Sequence, residues 1–183
     1  AQGPLPSLNP DISVTFDMAA AALSRKESPQ TGAHDPHTPG FHMQQLELAI
    51  SQSVDPFFRF DTNILIAEHC LEIEEAYATT QSLPFNLQVR AGQFLTRFGR
   101  INSTHLHSWD FVDQPLLVGR AFGPEGNRGI GLEVSYLIPL PWYAEWVASA
   151  TEVCSADTAR SFFHAEAAPE SESPESTDDH STS

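Results

Sequence analysis

The sequence has little cysteine, little lysine and no long apolar run. Its two cysteines, Cys70 and Cys154, are too few for a disulfide framework, and without a CxxC pair they do not indicate a structural zinc site. Lys26 is the single lysine among nine basic residues, so neither a polybasic membrane anchor nor a nucleic-acid patch is expected. Because no apolar run reaches about 18 residues, the sequence predicts no transmembrane helix.

Acidic residues outnumber basic residues by 24 to 9, which gives a formal net charge of −15. A chain with this charge should repel nucleic acid and anionic membrane surfaces. Residues 165–183 hold six acids and no Lys or Arg, and predict a disordered acidic tail. Residues 1–10 contain three prolines and are expected to form an irregular lead-in, which leaves 11–164 for the folded part.

The chain begins at Ala1 rather than at Met. That resembles a mature N-terminus left after cleavage of an export signal, although a recombinant boundary would look the same. Export would also place Cys70 and Cys154 where a disulfide can form, but their strands are far apart in order, so two free thiols are equally compatible.

Apolar and polar residues alternate with a period of two through most of the chain, which predicts β-strands with one apolar face. In the first strand, Ile12, Val14 and Phe16 share a face and Ser13 and Thr15 take the other. Seven strands are predicted. The first starts at residue 11, the fifth starts at residue 87, and the others cover roughly 41–54, 57–67, 72–81, 129–138 and 142–153.

The predicted connections alternate between long and short. The short turns 54–56, 82–86 and 139–141 all contain proline and fall at the same end of the strands. Aromatic residues gather beside them: Phe57, Phe58, Phe60, Phe85, Trp142, Tyr143 and Trp146. Short turns, long outer loops and aromatic girdles are typical of an up-and-down outer-membrane barrel. Alternation alone also fits a soluble sheet with one face on a core.

Several segments resemble phosphate-selective-porin-like outer-membrane proteins. They are "DPFFRFDTNILI", "EIEEAYATTQSLPFNLQ", "VRAGQFLTRFGRIN" and "STHLHSWDFVDQPL…FGPEGNRGIGLEVSYLIP". The resemblance covers roughly residues 8–164. It implies an antiparallel transmembrane β-barrel with long outer loops, in outer-membrane lipid and as a homotrimer. Such porins are longer and end in an aromatic strand, so this chain is interpreted as the N-terminal part of a barrel.

A porin function means passive diffusion of small hydrophilic solutes or ions, without enzymatic chemistry. The polar faces of the strands supply the predicted pore-lining residues Arg59, Asp61, Arg90, Glu133 and Glu145. Both signs of charge are present, which favours a mixed or cation-tolerant lumen over a phosphate-selective one.

The long loop 97–128 is expected to fold at the pore mouth or inward as a constriction. Its charged candidates are Arg97, Arg100, Asp110, Asp113 and Arg120. The arginines either surround a passing solute or pair with Glu75, Asp110, Asp113 and Glu125 to hold the loop, because unpaired charges in a narrow lumen are costly.

Histidines concentrate in the predicted loops. His105 and His107, with Asp110 and Asp113, could bind a divalent metal ion, or the rings could simply be solvated. No other cofactor is expected. The alternative function is therefore a soluble or surface β-sheet module that holds a metal or a protein partner through His/Asp-rich loops.

No catalytic motif is apparent. A GxSxG nucleophile elbow is missing, and "GPEGNRGIG" lacks the GK[ST] ending of a phosphate loop. Glu74 and Glu75 are neighbours in a predicted strand, so they should point to opposite faces rather than act as a catalytic pair.

Overall fold

The computed structural model describes residues 9–24, 32–36, 38–67 and 71–152. Cys70, Cys154, the N-terminal lead-in through residue 8 and the acidic tail lie outside these residues. The seven strands are β1 Asp11–Ala21, β2 Gly40–Ser53, β3 Phe58–Ile66, β4 Leu71–Thr80, β5 Leu87–Leu95, β6 Arg128–Leu137 and β7 Glu145–Glu152. A short helix, α1, covers Leu116–Phe122, and 3-10 turns cover Pro84–Asn86 and Leu106–Ser108.

The strands form one antiparallel sheet in the order β1-β2-β3-β4-β5-β6-β7. The all-β class and the up-and-down order are therefore confirmed. In the part of the chain that the structure describes, β1 and β7 are the two edges, so these strands form an open sheet that is not closed into a barrel.

One predicted boundary is wrong, and a second differs from the structure by one residue. The seventh strand begins at Glu145 instead of residue 142, because the chain first closes a turn in which Ile138 N–H donates to the carbonyl of Ala144. The long loop ends before Arg128, since that residue already pairs with Leu95 in the sheet. The loop also contains α1, which was not predicted. Among the described residues, no helical segment has the length and hydropathy needed to span a bilayer.

The two faces of the sheet have an inverted pattern of burial. On one face, Ile12, Val14, Phe16 and Met18 are each more than half exposed, and exposed Leu132 continues the pattern on β6. We call this side the apolar face. The other side, the polar face, carries charged and amide side chains that are largely buried, including Glu47, Glu75, Glu133 and Gln45. A water-soluble sheet normally buries its apolar side.

Two β-bulges change which residues reach the polar face. In β4, Ile73 pairs with Ile64 and Glu75 pairs with Asn63, so Glu74 is the extra residue. A bulge places two residues opposite one and interrupts the alternation. The side chains of Glu74 and Glu75 therefore both lie on the polar face, and the expectation that they point to opposite faces is wrong. A second bulge opposite Asp17 likewise leaves both Gln44 and Gln45 buried.

Candidate functional site

The connection from Thr96 to Asn127 folds inward across the polar face. Gln44 Nε2 on β2 donates to the carbonyl of Val112 at 3.0 Å, and Gln114 N–H donates to Asp35 Oδ1 at 3.0 Å. At the base of the loop, the Asn102 side chain donates to the Thr96 carbonyl at 2.8 Å. The loop therefore lies over the polar face of the sheet, and we call it the inward loop for that reason.

Buried apolar side chains lie both on the sheet and in the loop. Phe94 on β5 is fully buried, and Ala121 and Phe122 of α1 are nearly so. The Phe98 and Phe122 rings meet edge to face, with centroids 4.9 Å apart. The hydrogen bonds of Gln44 and Asn102 therefore hold the loop over the polar face, and the contact of Phe98 with Phe122 packs two parts of the loop against each other.

Arginines and glutamates form the first charged group on the polar face. Arg97 reaches down from the loop, so that its Nε lies 2.8 Å from Glu133 Oε1 and its Nη1 lies 2.9 Å from Glu145 Oε1. Arg90 Nε lies 3.8 Å from the same Glu133 oxygen, and the Arg90 guanidinium stacks on the Tyr77 ring at 4.6 Å. The Glu133 side chain is fully buried, and the guanidinium groups of Arg97 and Arg90 both lie beside its carboxylate.

The remaining predicted pore residues are more dispersed. Arg59 and Asp61 pair at 2.9 Å near the short-turn end of β3. Of the loop candidates, Arg97 joins the strand acids, while Arg100, Asp110 and Arg120 are exposed and Asp113 is half-buried.

The arginine partners that the sequence suggested are mostly replaced by others. Arg97 uses the strand acids Glu133 and Glu145, and Arg128 pairs with Glu72, with Glu125 at 3.9 Å. Of these two arginines only Arg97 belongs to the loop, and it attaches the loop to acids of the sheet.

Histidines and glutamates form a second group, the histidine–glutamate cluster, made of Glu47, Glu74, Glu75, His105 and His107. His105 Nδ1 lies 3.1 Å from Glu74 Oε2 and 3.9 Å from Glu47 Oε2, and its Nε2 lies 3.1 Å from Glu75 Oε2. His107 Nδ1 lies 2.9 Å from Glu47 Oε2. The two imidazole rings stack with centroids 5.9 Å apart.

The surroundings of His105 favour its charged form. Burial by itself would lower the pKa of His105, but hydrogen bonds to Glu74 and Glu75 and the negative charges of Glu74 and Glu47 raise it to about 10. His105 is therefore an imidazolium at neutral pH when only protein groups surround it. In contrast, burial lowers the pKa of His34, although nearby acids oppose the effect.

Sequence reasoning selected the two histidines but not their partners. Asp110 and Asp113 were expected beside His105 and His107, whereas the structure supplies Glu47 from β2 and Glu74 and Glu75 from β4. One signal was present: the strand "LEIEEAY" breaks its alternation at two consecutive glutamates, and such a break indicates a bulge.

The comparisons with known proteins add one relative. An uncharacterized protein of Aquifex aeolicus (strain VF5) is 35% identical over 149 residues, a match that covers 73% of this chain and 32% of the relative. The chain thus spans about a third of the length of the relative it matches. No family model matches, and no solved structure matches. The chain is therefore similar to a segment of a longer protein.

Proposed function

We propose that the seven strands form part of the wall of a porin-like channel in an outer membrane, with passive diffusion of small hydrophilic solutes and ions along the polar face. The inverted burial of the sheet is the observation that carries this proposal. Lipid would cover the apolar face, and water and the inward loop would occupy the other side.

The size of the apolar face supports lipid as its environment. Transfer of one Ile, Val, Phe or Met side chain out of water stabilises by roughly 1.5–3 kcal/mol when it is complete. Exposed residues of these kinds line β1, β2, β3, β4 and β6, so a large stabilisation is missing while this face is in water. Soluble monomers seldom expose apolar patches this extensive.

Strand dimensions and the placement of aromatic residues agree with a membrane position. The strands have 8 to 14 residues, and a tilted spanning strand needs about 9–11 residues. Tyr136 and Trp146 pair across β6 and β7 near the short-turn end, where exposed Phe57, Phe58 and Phe85 also lie. Aromatic side chains at one margin of an apolar band are typical of the membrane interface.

The charges of the polar face suggest how solutes would be selected. Arg59 with Asp61 and Arg90 with Glu133 place both signs along this face, and Arg97 projects over it from the loop. Width and fixed charge then decide which solutes pass, with no covalent step. Mixed charge supports general or cation-tolerant diffusion more than phosphate selectivity, although the sequence segments resemble phosphate-selective-porin-like proteins. Assembly into a homotrimer is part of this proposal.

The histidine–glutamate cluster favours a second candidate, a soluble or surface module that binds a metal or a protein. In that case another protein surface has to cover the apolar face. The two candidates differ in what contacts this face: lipid for the channel, and water or a protein partner for the module.

Three tryptophans on different surfaces provide the test. Trp146 lies on the apolar face, Trp142 lies in the short turn before β7, and Trp109 lies in the inward loop with its Nε1 donating to the Thr104 carbonyl at 2.7 Å. Three variants would each keep one tryptophan and carry Phe at the other two positions. Each would be reconstituted in vesicles of phospholipids with brominated acyl chains, with matched unbrominated vesicles as the control.

Lipid contact predicts strong quenching of Trp146 by the brominated chains and little quenching of Trp109. Trp142, at the margin of the apolar face, should show an intermediate effect. If brominated lipid quenches neither Trp109 nor Trp146, and the protein stays in solution without detergent, the result would contradict the membrane position and favour the soluble module.

Channel activity needs its own measurement. Planar bilayers that contain the chain should show a conductance, and a salt gradient would report its preference for cations or anions. Replacing Arg97 by Ala removes the cation between Glu133 and Glu145, so the reversal potential should shift toward cation selectivity. An unchanged potential would exclude Arg97 from the solute path.

A further inference from the structure

We propose that His105, Glu74 and Glu47 bind a divalent transition-metal ion of the Zn²⁺ type beneath the inward loop. Such a site would fasten the loop to β2 and β4 through a coordination bond to each strand. It goes beyond passive diffusion, and it does not require that the sheet lie in a membrane.

The separations between the candidate ligand atoms match a coordination sphere. His105 Nδ1 is 3.1 Å from Glu74 Oε2 and 3.9 Å from Glu47 Oε2, and one ligand atom from each of the three residues lies within 4.8 Å of the others. Zinc binds imidazole nitrogen and carboxylate oxygen at about 2.0–2.2 Å, so tetrahedral ligand atoms lie roughly 3.3 Å apart. Small side-chain shifts are therefore enough to bring these three atoms around one ion.

The far side of the imidazole is arranged as in metal centres. His105 Nε2 lies 3.1 Å from Glu75 Oε2 and 2.8 Å from the side-chain amide of Asn63. The other Glu75 oxygen accepts the Leu95 N–H at 2.8 Å. A metal-bound histidine usually donates its second ring N–H to a carboxylate, which fixes the ring and strengthens the ligand. Glu75 is placed for that role while Nδ1 faces Glu74 and Glu47.

Charge balance also points to a cation. The carboxylates of Glu47, Glu74 and Glu75 converge on one imidazole, and the Glu47 and Glu75 side chains are buried. One imidazolium leaves this buried group with excess negative charge, although His107 contacts Glu47 as well. Buried charges are paired or coordinate metals. A divalent ion on Nδ1 would neutralise Glu47 and Glu74 together.

The neighbouring clefts offer access and further polar atoms. One cleft is lined by Glu74 together with His34 and Gln114. Within the described residues, His34 Nε2 and Gln114 Oε1 are buried without a hydrogen-bond partner, and Gln114 is more than nine-tenths buried. Buried unpaired polar atoms usually face a water or an ion. A second cleft, lined by His107 and Asp110, lies beside the cluster.

The donor set indicates which ions to test. Imidazole nitrogen suits Zn²⁺, Cu²⁺, Ni²⁺ and iron, whereas Ca²⁺ and Mg²⁺ prefer sites made of oxygen alone. Co²⁺ is a useful probe because its visible absorption reports tetrahedral coordination. The chain would be stripped with EDTA in detergent, titrated with Co²⁺ and then competed with Zn²⁺.

The proposal predicts one saturable Co²⁺ site per chain, with an intense visible band that Zn²⁺ abolishes. His105→Gln and Glu74→Gln should each weaken binding at least tenfold. Glu75→Gln removes no ligand and should weaken binding by about 10–100-fold. His42→Gln is the matched control, because His42 lies on β2, where it contacts the carbonyl of Thr38 and not the cluster.

Circular dichroism would establish that each variant keeps its β-structure. The proposal would be overturned if the wild-type protein has no stoichiometric Co²⁺ or Zn²⁺ site. It would also be overturned if His42→Gln and His105→Gln lose metal affinity to the same extent. Either result leaves the quenching of Trp146 by brominated lipid unaffected, so failure of the metal site and failure of the membrane position can be told apart.

Discussion

Leu132 offers a sharp test of whether lipid covers the apolar face. It is the fifth residue of the ten in β6, its side chain is 55% exposed, and its strand neighbours on that face are Ala91 and Ala150. Arginine at the midplane of a membrane barrel costs about 2–4 kcal/mol. Loss of the half-exposed Leu side chain adds roughly 1 kcal/mol. In lipid, Leu132→Arg should therefore lower the free energy of unfolding by about 3–5 kcal/mol.

Leu117→Arg is the matched control. Leu117 is 78% exposed on α1, in the inward loop and outside the strands. The chemical change is the same, but an exposed position away from lipid should change stability by no more than about 0.5 kcal/mol. Guanidinium unfolding in phospholipid vesicles, followed by tryptophan fluorescence, would measure both free energies. Equal values for the two variants would refute the assignment of the apolar face to lipid.

Three further predictions concern the polar face and the sheet. Glu133→Gln leaves the half-buried Arg90 without its acid and Arg97 with Glu145 alone, so it should cost about 1.5–3 kcal/mol. Asp61→Asn, in a more exposed pair, should cost less than about 1 kcal/mol. Equal losses of stability would show that burial does not strengthen the first group. In metal-free protein, folded His105 keeps its proton up to a pKa of about 10, whereas unfolded His105 loses it above the ordinary pKa of 6.5. The free energy of unfolding should therefore fall as the pH rises from 6.5 toward 10. Denaturation at several pH values in EDTA should show this fall for the wild type and not for His105→Gln. At Gly92, where φ is +136°, an added Cβ would lie 2.3 Å from the Ala76 carbonyl oxygen. Gly92→Ala should therefore lower the free energy of unfolding by about 1–3 kcal/mol. A melting temperature equal to that of the wild type would contradict this close approach of β4 and β5.

The strands and their faces could be predicted because they are determined by short-range pattern. Alternation with a period of two located all seven strands, and prolines in the turns marked the short connections. Register then follows from the turns and from the shared apolar face, as in the pairing of Ile12 with Ile50. Boundaries failed where a turn extended beyond its proline, as it does before Glu145.

The candidate site could be predicted only in part, because its contacts join distant parts of the sequence. His107 and Glu47 are 60 positions apart, and no local pattern specifies that the loop folds inward to bring them together. Helix α1 has only seven residues, including Gly119, so its intrinsic propensity is weak and packing of Ala121 and Phe122 stabilises it. The break in alternation at Glu74 predicts a bulge, but it does not predict which side chains of the loop lie opposite that bulge.

The order of the seven strands has a consequence for closure. Consecutive strands run in opposite directions, so β1 and β7, the first and last of an odd series, run in the same direction. Direct contact between these two edges would be parallel, both within one chain and between neighbouring copies that have the same orientation in a membrane. Hydrocarbon does not tolerate unpaired backbone edges. A fully antiparallel closed barrel that contains these seven strands must therefore also contain an odd number of others.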